Sequence, residues 1–279
     1  MDRDLESRDE SFRAIPGGDA GKNSAYMFAT ENGYATGDEA QEEGSGTSIF
    51  DPVLCELAYR WFSPPGGKVL DPFAGGSVRG IVAGFLGREY HGVDLSERQI
   101  AANEAQAAEM DMPARPVWTV GDSQDIATLA PGEYDFVFSC PPYADLEVYS
   151  NDPADLSTLG YAEFVAAYRE IIAKACARLR PDRFACFVVG EVRDKRGNYY
   201  DFVGDTVAAF RDAGLHYYNE AILITMVGSL PIRAGRQFAA SRKLGKTHQN
   251  VLVFVKGDGK RAATACGPVQ VAVPDDAGA

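Results

Sequence analysis

Histidine is nearly absent from this chain: three occur in 279 residues, His91, His216 and His248. So few, so far apart, give no metal-ligand spacing, and metal binding is not expected. The five cysteines, Cys55, Cys140, Cys176, Cys186 and Cys266, never form a C-x-x-C pair. Their odd number and scatter argue against a disulfide framework and a structural zinc, and predict reduced thiols in a cytoplasmic protein. Long apolar runs are missing too. The longest, near Ala221 to Val227, is far too short to span a bilayer, so no membrane association is expected. The acidic, polar start reads as neither a signal nor a transit peptide. Basic charge is in deficit, with 27 Lys and Arg against 40 Asp and Glu and a net charge of −13.

That deficit is uneven. Residues 1–46 hold eleven acids and four bases with no sustained periodicity, which predicts an acidic, mostly disordered tail. The run from Gly228 to His248 instead carries Arg233, Arg236, Arg242, Lys243 and Lys246 and no acid. A local basic run is either a solvated loop or a phosphate-binding one, and charge alone leaves both open. Residues 47–257 hold the apolar periodicity needed for a core, and a loose C-terminal tail is expected over 258–279.

Within 47–257 the patterns alternate. A helix fits Pro52 to Phe62, where Val53, Leu54, Leu57, Ala58 and Trp61 share a face. Strands are predicted at Lys68–Asp71, Glu89–Val93, Pro116–Val120, Tyr134–Ser139, Phe184–Val189, His216–Val227 and Asn250–Lys256. Helices are predicted at Val78–Leu86, Ser96–Met110, Tyr161–Leu179 and Phe202–Ala213. Seven strands with intervening helices imply an α/β fold, a doubly wound and mostly parallel sheet. The last two strands are joined by a loop in this reading, which predicts an antiparallel last strand.

Two segments at strand ends carry chemistry. Asp71-Pro72-Phe73-Ala74-Gly75-Gly76-Ser77 runs straight into a helix, so the backbone can approach a ligand and helix-start N–H groups face it. Such a turn suits the amino-acid end of S-adenosylmethionine: its carboxylate at those N–H groups, its ammonium at Asp71. Asp94 ends the next strand, 23 residues after Asp71 and near the offset of an acid that binds ribose hydroxyls. Asp122, after the third strand, is placed to accept from an adenine amino group. A structural Gly turn is the plain alternative, and three acids at successive strand ends disfavour it. The second segment, Ser139-Cys140-Pro141-Pro142-Tyr143, follows the fourth strand.

Together these segments resemble the amino-methyltransferases of DNA, the N6-adenine and N4-cytosine family, over roughly residues 47 to 257. The resemblance implies S-adenosylmethionine as cofactor and DNA as partner, RNA remaining open, with methyl transfer to an exocyclic base amine. Ser48, Phe50 and Phe73 would border the cofactor, with Gly75, Gly76 and Ser77. Cys140, Pro141, Pro142 and Tyr143 would form the catalytic turn. There an acceptor side chain and the Pro141 carbonyl take the amine protons, stiffened by the prolines, while Tyr143 stacks on the flipped base. Cys140 departs from the Asp, Asn or Ser usual at its position, and a thiol is a weak acceptor. Ser139 is an alternative polar contact. A cysteine nucleophile of the C5-cytosine type is disfavoured, because there the cysteine follows the proline.

Arg233, Arg236, Arg242, Lys243, Lys246 and His248 are the expected substrate-binding residues. The insert Ala144 to Leu159 reads as a lid or an ordinary surface loop. An RNA base methyltransferase and a catalytically weakened binding module are the alternatives, and a homodimer is left open.

Overall fold

The computed structural model describes residues 50–143, 155–224 and 230–269. The acidic N-terminal tail with Ser48 and most of the Ala144–Leu159 insert lie outside them. The sheet grows from helix–strand pairs whose ends the local sequence fixes. Asp51 caps α1 (Pro52–Phe62), its Oδ1 accepting from Val53 N at 2.8 Å and Leu54 N at 3.1 Å, with Pro52 at the first helical position. Then follow β1 (Lys68–Asp71), α2 (Val78–Phe85), β2 (Glu89–Asp94), α3 (Glu97–Ala108), β3 (Val117–Val120), a short α4 (Ile126–Leu129) and β4 (Tyr134–Ser139). Ser96 caps α3 by accepting from Gln99 N. The second half contains α5 (Tyr161–Arg178), β5 (Leu179–Val189), α6 (Phe202–Asp212), β6 (His216–Ile224), α7 (Leu230–Ser241), β7 (His248–Lys256) and α8 (Gly259–Cys266).

The seven strands lie in the order β3-β2-β1-β4-β5-β7-β6, so β7 is inserted between β5 and β6. It runs antiparallel to both, and the other pairs are parallel. Two cores result, one on each face. Along β5, Phe184, Cys186 and Val188 enter one core while Ala185, Phe187 and Val189 enter the other, the period of two expected of a strand buried on both sides. In α5, Phe164, Tyr168, Ile171, Ile172, Ala175 and Cys176 recur at helical spacing and are buried. Among the described residues no helix is long and apolar enough to cross a membrane.

Three local readings change. The β6–β7 connection contains the helix α7 and is not a plain loop. Pro231 suits its first turn, and residues 235–242 are exposed. The last strand stays antiparallel, because β7 pairs directly back onto β6 from Ile224↔His248 to His216↔Val255. Residues 259–266, expected within a loose tail, form α8. Asp258 caps it through Arg261 N at 2.8 Å, and Ala262 and Cys266 are buried. Finally, β5 starts at Leu179, directly after α5, where Asp182 has a positive φ of 54°.

Candidate active site

In this strand order the sequence of neighbours reverses between β1 and β4, and ligands of doubly wound sheets bind in the crevice at such a point. Both motifs hang there, one after β1 and one after β4.

The Gly turn after β1 is held from all sides. Ser123 Oγ donates to Pro72 O at 2.5 Å, and Arg79 Nη2 donates to Phe73 O at 2.6 Å and Ala74 O at 2.9 Å. Asn103 donates to Gly75 O at 2.8 Å, while Gly75 N donates to Asp94 Oδ2 at 2.8 Å. Gly75 has φ +49°, and a Cβ placed on Gly75 or Gly76 would meet nothing within 4 Å. The second glycine is therefore not required by packing. The open side of the turn fits a ligand that comes close to the backbone. Ser77 does not cap α2, since its hydroxyl donates to Gln106 Oε1 at 2.5 Å. The N–H groups of the first turn of a helix have no intrahelical acceptors, which suits a carboxylate.

Asp71 departs from its expected role. It is fully buried, and Oδ2 accepts from Arg79 Nε at 2.6 Å and Tyr90 OH at 2.8 Å. Oδ1 accepts from Phe73 N at 3.1 Å and Ser139 Oγ at 2.5 Å. Four donors saturate a carboxylate, so the geometry leaves no acceptor position for an ammonium. Burial alone would lower the pKa of Arg79, but the adjoining Asp71 outweighs it and holds the guanidinium charged. Burial, with Asp71 beside it, raises the pKa of the Tyr90 hydroxyl. Arg79 and Tyr90 were not singled out from the sequence; a lone Arg in a helix carries no sign that it will be buried.

The remaining cofactor-side residues surround this hub. Phe50 lies under the Arg79 guanidinium, 4.7 Å from its ring centroid, and edge-on to Phe138. Phe73 packs on Tyr168 and Phe187. Asp94 ends β2 and accepts from Gly75 N and Ser96 N, and burial raises its pKa. Asp122 caps the short turn 123–125 through Gln124 N and is half-exposed.

The turn after β4 places Ser139 in the interior, its hydroxyl donating to Asp71. Cys140 is half-buried with its sulfur 3.8 Å from Tyr143 OH. Pro141 is buried and Pro142 half-buried. The Tyr143 ring meets Phe202 edge-on at 6.1 Å, and its oxygen accepts from Gln249 Nε2 at 2.6 Å. Burial, then the nearby Cys140, raises the Tyr143 pKa, so the phenol stays protonated. Nothing in the polar run Thr247-His248-Gln249-Asn250 marks Gln249 as a site residue.

The basic residues are only partly brought together. Arg233 lies on α7, and Arg236 is exposed on the same helix. Arg242 stacks over Phe238, 5.1 Å from its centroid. Lys243 packs on Gly197. Burial lowers the Lys246 pKa, with Glu191 and Arg193 in electrostatic reach. His248 is exposed at the start of β7. Among the described residues no group of three or more His, Cys, Asp or Glu is arranged to hold a metal.

No protein-family model matches the chain. A stretch of 54 residues is 43% identical to the type II methyltransferase M.SmaI of Serratia marcescens, covering 19% of this chain and 18% of that enzyme. Among solved structures the chain is similar to TrmN from Thermus thermophilus, with TM-score 0.51 and 16% identity over 77% of this chain and 52% of TrmN. It is also similar to magnesium protoporphyrin IX methyltransferase from Synechocystis PCC 6803, solved with bound S-adenosylmethionine. There the TM-score is 0.48 at 13% identity, covering 86% of this chain and 100% of that one. The chain thus spans about half the length of TrmN, and the M.SmaI match under a fifth of that enzyme. The fold is that of the S-adenosylmethionine-dependent methyltransferases.

Proposed function

We propose that this protein transfers a methyl group from S-adenosylmethionine to an exocyclic amino group, adenine N6 or cytosine N4, in DNA. One observation carries the reading: the Gly turn and the Cys140–Tyr143 turn flank the same crevice and are tied together by a single buried carboxylate, Asp71. The M.SmaI match adds to it, as a DNA-directed reading taken from a short stretch of that protein.

The first turn of α2 would hold the cofactor carboxylate, Asp94 the ribose hydroxyls and Asp122 the adenine amino group, with Phe73 alongside. Because Asp71 is saturated, the ammonium is left to backbone carbonyls of the crevice. When bound, the cofactor supplies the electrophilic methyl group. The chain's own task is to orient the amine. The Pro141 carbonyl and the Cys140 sulfur accept hydrogen bonds from its two N–H groups and turn the lone pair toward the methyl; as the N–C bond forms and the sulfonium S–C bond breaks, one of these protons leaves to solvent. Tyr143 offers its ring to the base, and Gln249 fixes that ring by hydrogen bonding its hydroxyl. Arg236, Arg242, Lys243 and Lys246 meet phosphates, and Arg233 and His248 are assigned to the same surface. RNA is the second reading, because those cations serve either polymer.

The test is methyl incorporation from labelled cofactor into DNA and, separately, RNA, followed by nucleoside mass spectrometry. N6-methyladenine or N4-methylcytosine is expected, with transfer reduced at least about 100-fold in Tyr143→Ala while cofactor affinity changes little. 5-Methylcytosine would refute the amino-group assignment.

A further inference from the structure

Two arginine–aromatic pairs, each with an exposed aromatic residue, lie on the segments that follow β5 and precede β7. The first follows β5, where residues 193–199 form a tight hairpin with Arg193 bridging to Tyr199. The Arg193 guanidinium sits 3.8 Å from the Tyr199 ring centroid and donates to Gly197 O at 2.7 Å. The second is Arg242 over Phe238, after α7. Both aromatic residues are exposed, Tyr199 at 47% and Phe238 at 44%, with the guanidinium over one ring face of each. Lys243 joins the two walls, because its ammonium packs so closely on Gly197 that a Cβ there would collide with it.

Both walls are continuous along the chain with residues that touch Tyr143. Gln249, three residues beyond Lys246, donates to its hydroxyl, and a Cβ on Gly190 at the end of β5 would lie 3.9 Å from its ring. The acids nearby are occupied by backbone donors. Asp194 accepts from Asn198 N at 2.8 Å, and Glu191 accepts from the Phe202 and Val203 amides at 3.2 Å and 3.3 Å. Both acids keep their charge, but Arg193, Lys195, Arg196, Arg242, Lys243 and Lys246 outnumber them on these segments, so positive charge dominates the field. Arg242 also stands at φ +57°, at the end of a helix where glycine is the usual residue. A bulky side chain kept in the left-handed region points to a use for that side chain.

We propose that this surface is a track for an unpaired polynucleotide strand leading to Tyr143, with Tyr199 and Phe238 stacking bases and Arg193, Arg242 and Lys243 meeting phosphates. The inference rests on the nucleic-acid reading of the active site and narrows its substrate to single-stranded or locally opened polymer. Exposed rings interleaved with fixed cations are what an unpaired strand requires. In a duplex the base faces are covered by their neighbours and such rings gain nothing.

Fluorescence anisotropy with a labelled 16-nucleotide DNA strand, the same sequence as RNA, and its blunt DNA duplex tests this. At equal salt a strand binds at least about tenfold tighter than the duplex, and the DNA and RNA arms identify the polymer. Tyr199→Leu with Phe238→Leu keeps apolar bulk at exposed positions; it weakens strand binding about tenfold or more and leaves the salt slope unchanged. Arg193→Gln with Lys243→Gln lowers that slope by roughly 0.7 per cation removed. Thermal unfolding of each variant confirms that it is folded. Equal binding of strand and duplex, or wild-type binding by the Leu variant, overturns the track. Strand binding without methyl transfer to any polymer would retain the track and refute the methyltransferase reading. Methylated duplex without strand preference would do the reverse.

Discussion

The ends of β1 and β2 and the ends of β5 and β7 belong to one sheet and are built in opposite ways. At the first, the charged pair Arg79–Asp71 lies in the interior and spends its hydrogen bonds on the protein itself. At the second, Arg193, Arg242 and Lys243 lie near the surface, and rings or a glycine hold them in place. A small ligand of fixed shape needs a cradle whose backbone is set before it arrives, and buried hydrogen-bonded charge can set it. A polymer needs cations that remain in solvent to exchange counterions for phosphates. The same residue type thus serves stiffness in one place and attraction in the other, according to its burial.

The comparison is broken most severely at Arg79. Arg79→Met leaves Asp71 as an unpaired buried carboxylate and should cost about 3–5 kcal/mol in urea unfolding. Asp71→Asn in that background should recover part of the loss. An unfolding curve like that of wild type would show that the pair does not hold the turn. A smaller effect sharpens the catalytic side. Cys140→Ser replaces a weak acceptor by a hydroxyl and should raise single-turnover transfer about threefold to tenfold, roughly 1 kcal/mol, whereas Cys140→Ala should lower it. No difference between Ser and Ala would remove Cys140 from the reaction.

The smallest effect is one of pH. Burial raises the pKa of Asp94, so the folded protein binds its proton more readily than the unfolded chain. The stability it contributes is full below the unfolded pKa and declines as pH rises through the folded one. Cofactor hydroxyls prefer the ionised acceptor, so affinity should climb over the same window, upward from about pH 4. Calorimetric titration of S-adenosylmethionine at several pH values checks this, and Asp94→Asn should flatten the dependence. A wild-type profile as flat as the variant's would separate Asp94 from the ribose.

Much of the frame was legible in the chain. The bounds of α1, β1 and β4 coincide with the sequence reading, because Asp51-Pro52 starts the first and short buried runs mark the others. The α7 and α8 helices were not legible. Both are short and carry few large apolar side chains, the second burying only Ala262 and Cys266, so neither stands out from a polar loop. Of the site, the two turns could be read because glycine and proline punctuate the backbone regardless of context. Gln249 and Arg193 could not, since an isolated polar residue says nothing of what the fold will bring to it.

The sequence by itself determined the α/β alternation and the position of both turns at strand ends. Each follows from local periodicity or from residues with restricted backbones. Only the tertiary structure decided that Asp71 is saturated by Arg79, Tyr90, Phe73 N and Ser139, and that Tyr199 and Phe238 lie on one surface. Those partners come from separate elements. Ser139, for instance, lies 68 residues from Asp71, and only strand pairing across the sheet brings the two within hydrogen-bonding distance.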